Sequence, residues 1–318
     1  MGQKDMEARM EDPCPVGIRG IVPSLNTPFT ADDAVDLDSV RRLVDWTVAS
    51  GAAGMLALAV AGEGQSLDRG EFHAIAEAIA AQNAGRIPII LSVTAAERAE
   101  RLWRARVAAE IGSDIILCEP PAGLAGDELE RVFAELVADG PRRLMIQDLD
   151  WQGPGMAIAD IVRLHERNAA FQCLKLETVP AGPKYTAVLD ATGGRLHVSG
   201  GWAVAQMIDA LDRGVHAFMP TELEPIWVAI YRLHRGGRVT EARALFERVL
   251  PVVAFSNQHI DVSIRFFKHL RHQSGLFRTA NCRQPVAPLD AFQQREVARL
   301  TEVVRRLTGE IAEAVEKN

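Results

Sequence analysis

Short runs of apolar, β-type residues alternate along this chain with longer stretches whose apolar positions recur at helical spacing. The short runs cover residues 20–25, 55–59, 87–93, 114–118, 143–147, 172–177, 196–199 and 216–219. Helical spacing marks residues 37–49, 69–82, 96–111, 127–138, 158–167 and 204–211 between them. Eight strands alternating with helices predict a parallel sheet with helical crossovers. Strands covered on both faces read as nearly continuous apolar runs, and PIILSV, DIILC and RLMI do.

A closed barrel and an open doubly wound sheet both satisfy that alternation. The strand count is eight, and no G-x-G-x-x-G follows the first strand, where a dinucleotide-binding sheet would carry one. The expected fold class is therefore α/β, a TIM (β/α)8 barrel, with function gathered at the C-terminal ends of the strands. Residues 223–233 supply the last barrel helix, Gly236-Gly237 breaks the pattern, and residues 239–255, 258–270 and 290–315 read as further helices. The expected division is a flexible N-terminal tail over 1–16, a barrel over 17–236 and a C-terminal helical extension over 237–318.

Composition narrows the function classes. A chain of 318 residues, 48% of them hydrophobic, can bury a large core, and α/β barrels of this size are often one domain. The net charge is −7 and the basic residues are dispersed, so neither nucleic acid nor an acidic membrane surface is an expected partner. Four cysteines without a C-x-x-C pair point to a reducing, cytoplasmic location. The N-terminus lacks the apolar core of a secretory signal, and no apolar run approaches the roughly 18 residues of a membrane span. The histidines show no metal-ligand spacing with carboxylates, so no metal and no cofactor are expected.

Charge usage is lopsided, with 30 Arg against five Lys. One of the five, Lys175, stands inside the apolar strand F-Q-C-L-K-L-E. A charged ammonium there is unfavourable unless paired or neutral, and burial lowers a lysine pKa. A neutral amine is the nucleophile that forms Schiff bases with ketones. Alternation puts Cys173, Lys175 and Glu177 on one strand face, with about 7 Å between alternate positions. That spacing suits imine formation with proton transfer by the carboxylate. A structural Lys–Glu pair is the other reading of the same residues. Lys184 follows Pro183 at a helix start and reads as a surface lysine.

Several stretches resemble a known family in the right order. G-A-A-G-M-L-A-L-A-V-A-G-E at 51–63, R-I-P-I-I-L-S-V, G-S-D-I-I-L-C-E-P-P and L-K-L-E at 174–177 are similar to strands two, three, four and six of the dihydrodipicolinate synthase and N-acetylneuraminate lyase family. The resemblance covers nearly all of the chain after Val16. It implies a Schiff-base-forming lyase of the class I aldolase type, with Lys175 as the imine former. It also implies a homotetramer or homodimer.

Departures from the family pattern are informative. The family tyrosine at the end of strand five is Gln147 here, and Y-N-x-P becomes Q-D-L-D. The threonine pair before G-E is Val60-Ala61, and the arginine for an aldehyde-acid substrate falls near Gln152. M-I-Q-D and K-L-E-T-x-P-A-G-P-K resemble the L-2-keto-3-deoxyarabonate dehydratase branch, as do F-S-N-Q and R-Q-P near the C-terminus. In that branch the resemblance assigns proton transfer to the glutamate two after the lysine, here Glu177. The expected substrate is thus a 2-oxo acid, a 2-keto-3-deoxy sugar acid first. A pyruvate-dependent aldolase, a dihydrodipicolinate synthase-like enzyme and a non-catalytic 2-oxo acid binding protein are the alternatives.

Expected substrate contacts follow. Backbone N–H groups around Val60, Ala61 and Gly62 can hold the carboxylate, with Gly62 allowing close approach. Glu63 reads as a cap for that loop. Gln147 can orient a water or a hydroxyl, and Gly200 and Gly201 can clear space for substrate.

Overall fold

A computed structural model describes residues 14–283 and 285–316. The strands are β1 (Gly20–Ile21), β2 (Met55–Ala57), β3 (Ile89–Ser92), β4 (Ile115–Cys118), β5 (Leu144–Asp150), β6 (Phe171–Thr178), β7 (His197–Gly200) and β8 (Ala217–Phe218). The helices between them are α1 (Leu37–Ala49), α2 (Arg69–Asn83), α3 (Arg98–Glu110), α4 (Gly126–Asp139), α5 (Ile158–Arg167), α6 (Ala181–Thr192) and α7 (Met207–Asp212). After β8 come α8 (Glu224–Arg235), α9 (Val239–Ser256), α10 (Ile260–Gln273) and α11 (Ala291–Glu316).

All strand pairs are parallel, in the order β1-β8-β7-β6-β5-β4-β3-β2. The Leu25 N–H donates to the Leu56 carbonyl and the Leu56 N–H to the Pro23 carbonyl, each at 2.8 Å, which closes the ring between β1 and β2. The fold is the expected barrel. Its strands fall within or beside the predicted apolar runs, whose residues are mostly buried.

Parallel register stacks inward side chains in layers, which fill the barrel as a packed core rather than a pore. Leu117, Met145, Cys173 and His197 form one layer across β4 to β7. One step nearer the C-terminal mouth, Gln147, Lys175, Ser199 and Ala217 form the next. A second, larger apolar layer lies between the strands and the helices around them.

The N-terminal boundary differs from the expected one. Residues 1–13 of the predicted tail lie outside the described residues, but Cys14 and Val16 are buried and join the barrel interior with Ile18. The Ile18 carbonyl lies 2.8 Å from Nε2 of His197. These residues plug the bottom of the barrel, a role their apolar side chains suit and a solvated tail would not fill. No helix among the described residues is long and apolar enough to cross a membrane.

Candidate active site

β5 and β6 run side by side with Gln147 opposite Lys175 and Leu149 opposite Glu177. Alternation sends Gln147, Lys175 and Glu177 into the barrel and Asp148, Leu174 and Leu176 toward the helices. Lys175 is 5% exposed and Glu177 is 7% exposed. Nζ of Lys175 lies 3.1 Å from Oε2 of Glu177. The same oxygen accepts a hydrogen bond from Nε2 of Gln147 at 2.5 Å. Oε1 of Gln147 is left buried without a hydrogen-bond partner.

A buried ion pair is a poor stability device, since desolvation offsets the attraction. Three lysines here are buried beside carboxylates: Lys175 with Glu177, Lys184 with Asp148, and Lys268 with Glu63. Geometry separates them. Only Lys175 among the three lines the cavity at the C-terminal mouth of the barrel, the end where barrels of this kind place their sites. Val60, Ala61, Gln147, Glu177 and Gly201 line it too. Among the described lining residues, Lys175 is the one cation.

Val60–Gly62 forms a single 3-10 turn. Val60 and Ala61 head it, where N–H groups lack an intrahelical acceptor. Asn26 donates to the Ala61 carbonyl at 2.7 Å and Thr27 to the Gly62 carbonyl at 2.6 Å. Glu63 ends the turn in the left-handed region. Its carboxylate pairs with Lys268 and accepts the Arg283 backbone N–H at 2.9 Å. Burial pushes the Glu63 carboxyl up and the Lys268 ammonium down, and each charge pulls the other back. Glu63 is therefore a brace for the turn, as expected.

Two of the expected residues lie outside the cavity lining. Gly62 and Gly200 do not line the cavity. The Gly62 N–H donates to the Ala59 carbonyl at 3.0 Å, and a Cβ there would sit 2.8 Å from the Leu25 carbonyl oxygen. Its close approach is to the chain after β1. A Cβ on Gly200 would lie 2.6 Å from the Tyr185 hydroxyl, on the helical side of β7. Gly201 does line the cavity, and a Cβ there would fall 2.0 Å from Oε1 of Glu177. These glycines make room for protein groups.

Lys184 is not a surface residue. It is 8% exposed, pairs with Asp148 and donates to the Pro154 carbonyl.

Sequence reasoning also missed the roof of the cavity. Val253, Ser256, Asn257, Ile260, Ser263 and Phe267, from α9, α10 and the turn between them, line it. The F-S-N-Q stretch was a signal, but nothing local told where it docks. Glu119, just past β4, was missed as well. Burial pushes its carboxyl up, while the Lys175 charge pulls it down and the Glu177 charge adds to the rise.

The model of the dihydrodipicolinate synthetase family matches residues 17–303. The chain belongs to this family. Family members are lyases of the aldolase type. A 4-hydroxy-tetrahydrodipicolinate synthase from Cereibacter sphaeroides is 35% identical over 104 residues, 33% of this chain and 36% of that protein. The chain thus spans about a third of the length of the first curated relatives it matches. A dihydrodipicolinate synthase from Rhodopseudomonas palustris superposes with a TM-score of 0.81 at 24% identity, covering 90% of this chain and 97% of that one. YagE, a prophage protein of E. coli K12 solved in complex with pyruvate, does so with a TM-score of 0.82 at 19% identity, covering 91% and 99%.

Proposed function

We propose that this protein is a Schiff-base lyase that dehydrates a 2-keto-3-deoxy sugar acid. One observation carries the reading: the carboxylate of Glu177 stands 3.1 Å from the Lys175 amine, while Gln147 occupies the strand-five position where a tyrosine relay is expected. A carboxylate so placed can take over the proton transfers that a hydroxyl would otherwise perform.

Lys175 passes a proton to Glu177 and attacks the C2 ketone, and Glu177 returns that proton to the carbinolamine hydroxyl, which leaves as water to give a protonated imine. The imine draws electrons from C3, and Glu177 removes a C3 proton to leave an enamine. The enamine electrons return to expel the C4 hydroxyl, which takes the proton from Glu177 and departs as water. Hydrolysis of the conjugated imine restores Lys175. For a five-carbon acid, hydrolysis releases 5-hydroxy-2-oxopent-3-enoate, which loses a proton at C5 and gains one at C3 to give the enol of a 2,5-dioxo acid. The substrate carboxylate rests on the N–H groups of Val60 and Ala61. Oε1 of Gln147, an acceptor without a protein donor, receives a substrate hydroxyl.

A pyruvate-dependent aldolase is the second reading, favoured by relatives named as synthases and by the pyruvate complex of YagE. Synthesis of a dicarboxylic product fits less well, because Lys175 is the one cation among the described lining residues and a second carboxylate would lack a counter-charge.

Borohydride reduction with pyruvate, followed by peptide mass mapping, tests the imine. The adduct is expected on the peptide carrying Lys175 and is expected to vanish in Lys175→Ala. Assay of 2-keto-3-deoxyarabonate for a dicarbonyl product against released pyruvate then separates dehydration from carbon–carbon cleavage. An adduct on another lysine, or none, overturns the reading; an adduct with no turnover of either kind leaves a 2-oxo acid binding protein.

A further inference from the structure

We propose that the buried Asp148–Lys184 pair is a positioning device that fixes Trp151 as the specificity wall of the cavity. The inference rests on the Schiff-base reading above and extends it to the part of the substrate beyond C3.

β5 serves two faces with adjacent residues. Gln147 points inward to Glu177, and Asp148 points outward to Lys184 on α6. Asp148 is 2% exposed, and Lys184 also donates to the carbonyl of Pro154. The other carboxylate oxygen of Asp148 accepts the Met156 N–H at 2.9 Å. Both partners thus grip the chain between β5 and α5. Asp150 adds hydrogen bonds from the N–H groups of Gln152 and Gly155, each at 3.1 Å. The Gly153 carbonyl accepts the Val179 N–H at 3.0 Å. Gly155 has φ +64°, and a Cβ there would fall 2.2 Å from Oδ1 of Asp148, so the loop closes tightly on the carboxylate.

The loop held in this way begins with Trp151, which follows the C-terminal end of β5 and lines the cavity together with Glu177. A 2-oxo acid joined to Lys175 through C2, with its carboxylate at Val60 and Ala61, extends its remaining carbons toward the mouth and hence toward Trp151. Pyruvate ends at C3 and does not reach the wall. The pair should therefore discriminate by chain length without touching the ligand.

The test measures half-saturating concentrations for borohydride trapping with two probes, pyruvate and 2-keto-3-deoxyarabonate. In Lys184→Met the value for the five-carbon acid should rise about tenfold relative to that for pyruvate, the scale of a lost apolar wall contact. Trp151→Ala should give the same change. The double variant should be no worse than Trp151→Ala, because residues acting through one contact are non-additive. Asp148→Asn should move the ratio in the same direction and serves if Lys184→Met does not fold. An unchanged ratio in a folded variant, additive losses, or failure of both variants to fold would each overturn the inference. A wild type that traps neither acid fails the Schiff-base reading instead, and this inference with it.

Discussion

Gln147 donates through Nε2 to Oε2 of Glu177 at 2.5 Å, and that oxygen is the one nearest the Lys175 amine. One carboxylate oxygen thus serves both as counter-charge to the lysine and as acceptor for the amide. This holds the carboxylate toward the atoms where protons must move.

Replacing Glu177 should separate imine formation from the steps after it. Glu177→Gln retains a side chain of the same shape but cannot accept a proton. Turnover should fall about 10²–10⁴-fold, the usual contribution of a positioned general base. The borohydride adduct with pyruvate should still form at Lys175, although more slowly. Mass mapping alongside a steady-state assay checks both, and turnover within a few fold of wild type would remove Glu177 from the mechanism.

The adjacent glycines at the C-terminal end of β7, Gly200 within it and Gly201 just after it, should fail differently. In Gly201→Ala the new methyl meets the far end of the Glu177 side chain, which must swing away. Activity should drop at least about tenfold with small loss of stability, since the obstructed group is a flexible side-chain terminus whose proton transfer is lost. In Gly200→Ala the methyl meets the hydroxyl of buried Tyr185. Overpacking of that kind should cost about 1–3 kcal/mol. Paired denaturation curves and rate assays resolve the two.

Much of this arrangement was legible from local pattern. Lys175 and Glu177 stood out because a two-residue period in an apolar strand assigns both to one face, and the barrel was expected from the count of eight strands, the absence of a dinucleotide-binding glycine motif and the family resemblance. The remainder depends on partners remote in sequence. Lys184 looks like a surface lysine until Asp148, 36 positions earlier, is brought against it. A glycine announces that something approaches closely but not what, so Gly62 and Gly200 suggested substrate where they accommodate protein. The apolar faces of α9 and α10 predict burial without saying over which opening they lie.

Stability should carry a pH signature from Glu222. Burial raises its carboxyl to about 7, against the pull of Arg271 and with the Glu224 charge adding to the rise. A carboxyl whose folded pKa exceeds its unfolded value contributes stability that is full below the unfolded value and is lost as pH rises through the folded one. Glu222→Gln does not ionise. Its melting temperature relative to wild type should therefore rise between about pH 4.5 and pH 7 and level off above. A difference that stays constant across that window would contradict the burial effect.

Both the ceiling over Lys175 and the brace on the Val60–Gly62 turn come from the last third of the chain, through Asn257, Phe267, Lys268 and Arg283. A polypeptide emerging from the ribosome completes its ring of strands at Phe218, while the reactive amine still faces an open bowl. The brace on the carboxylate-holding turn arrives only some sixty residues later, so the nascent barrel has little means of engaging metabolites before that segment has emerged.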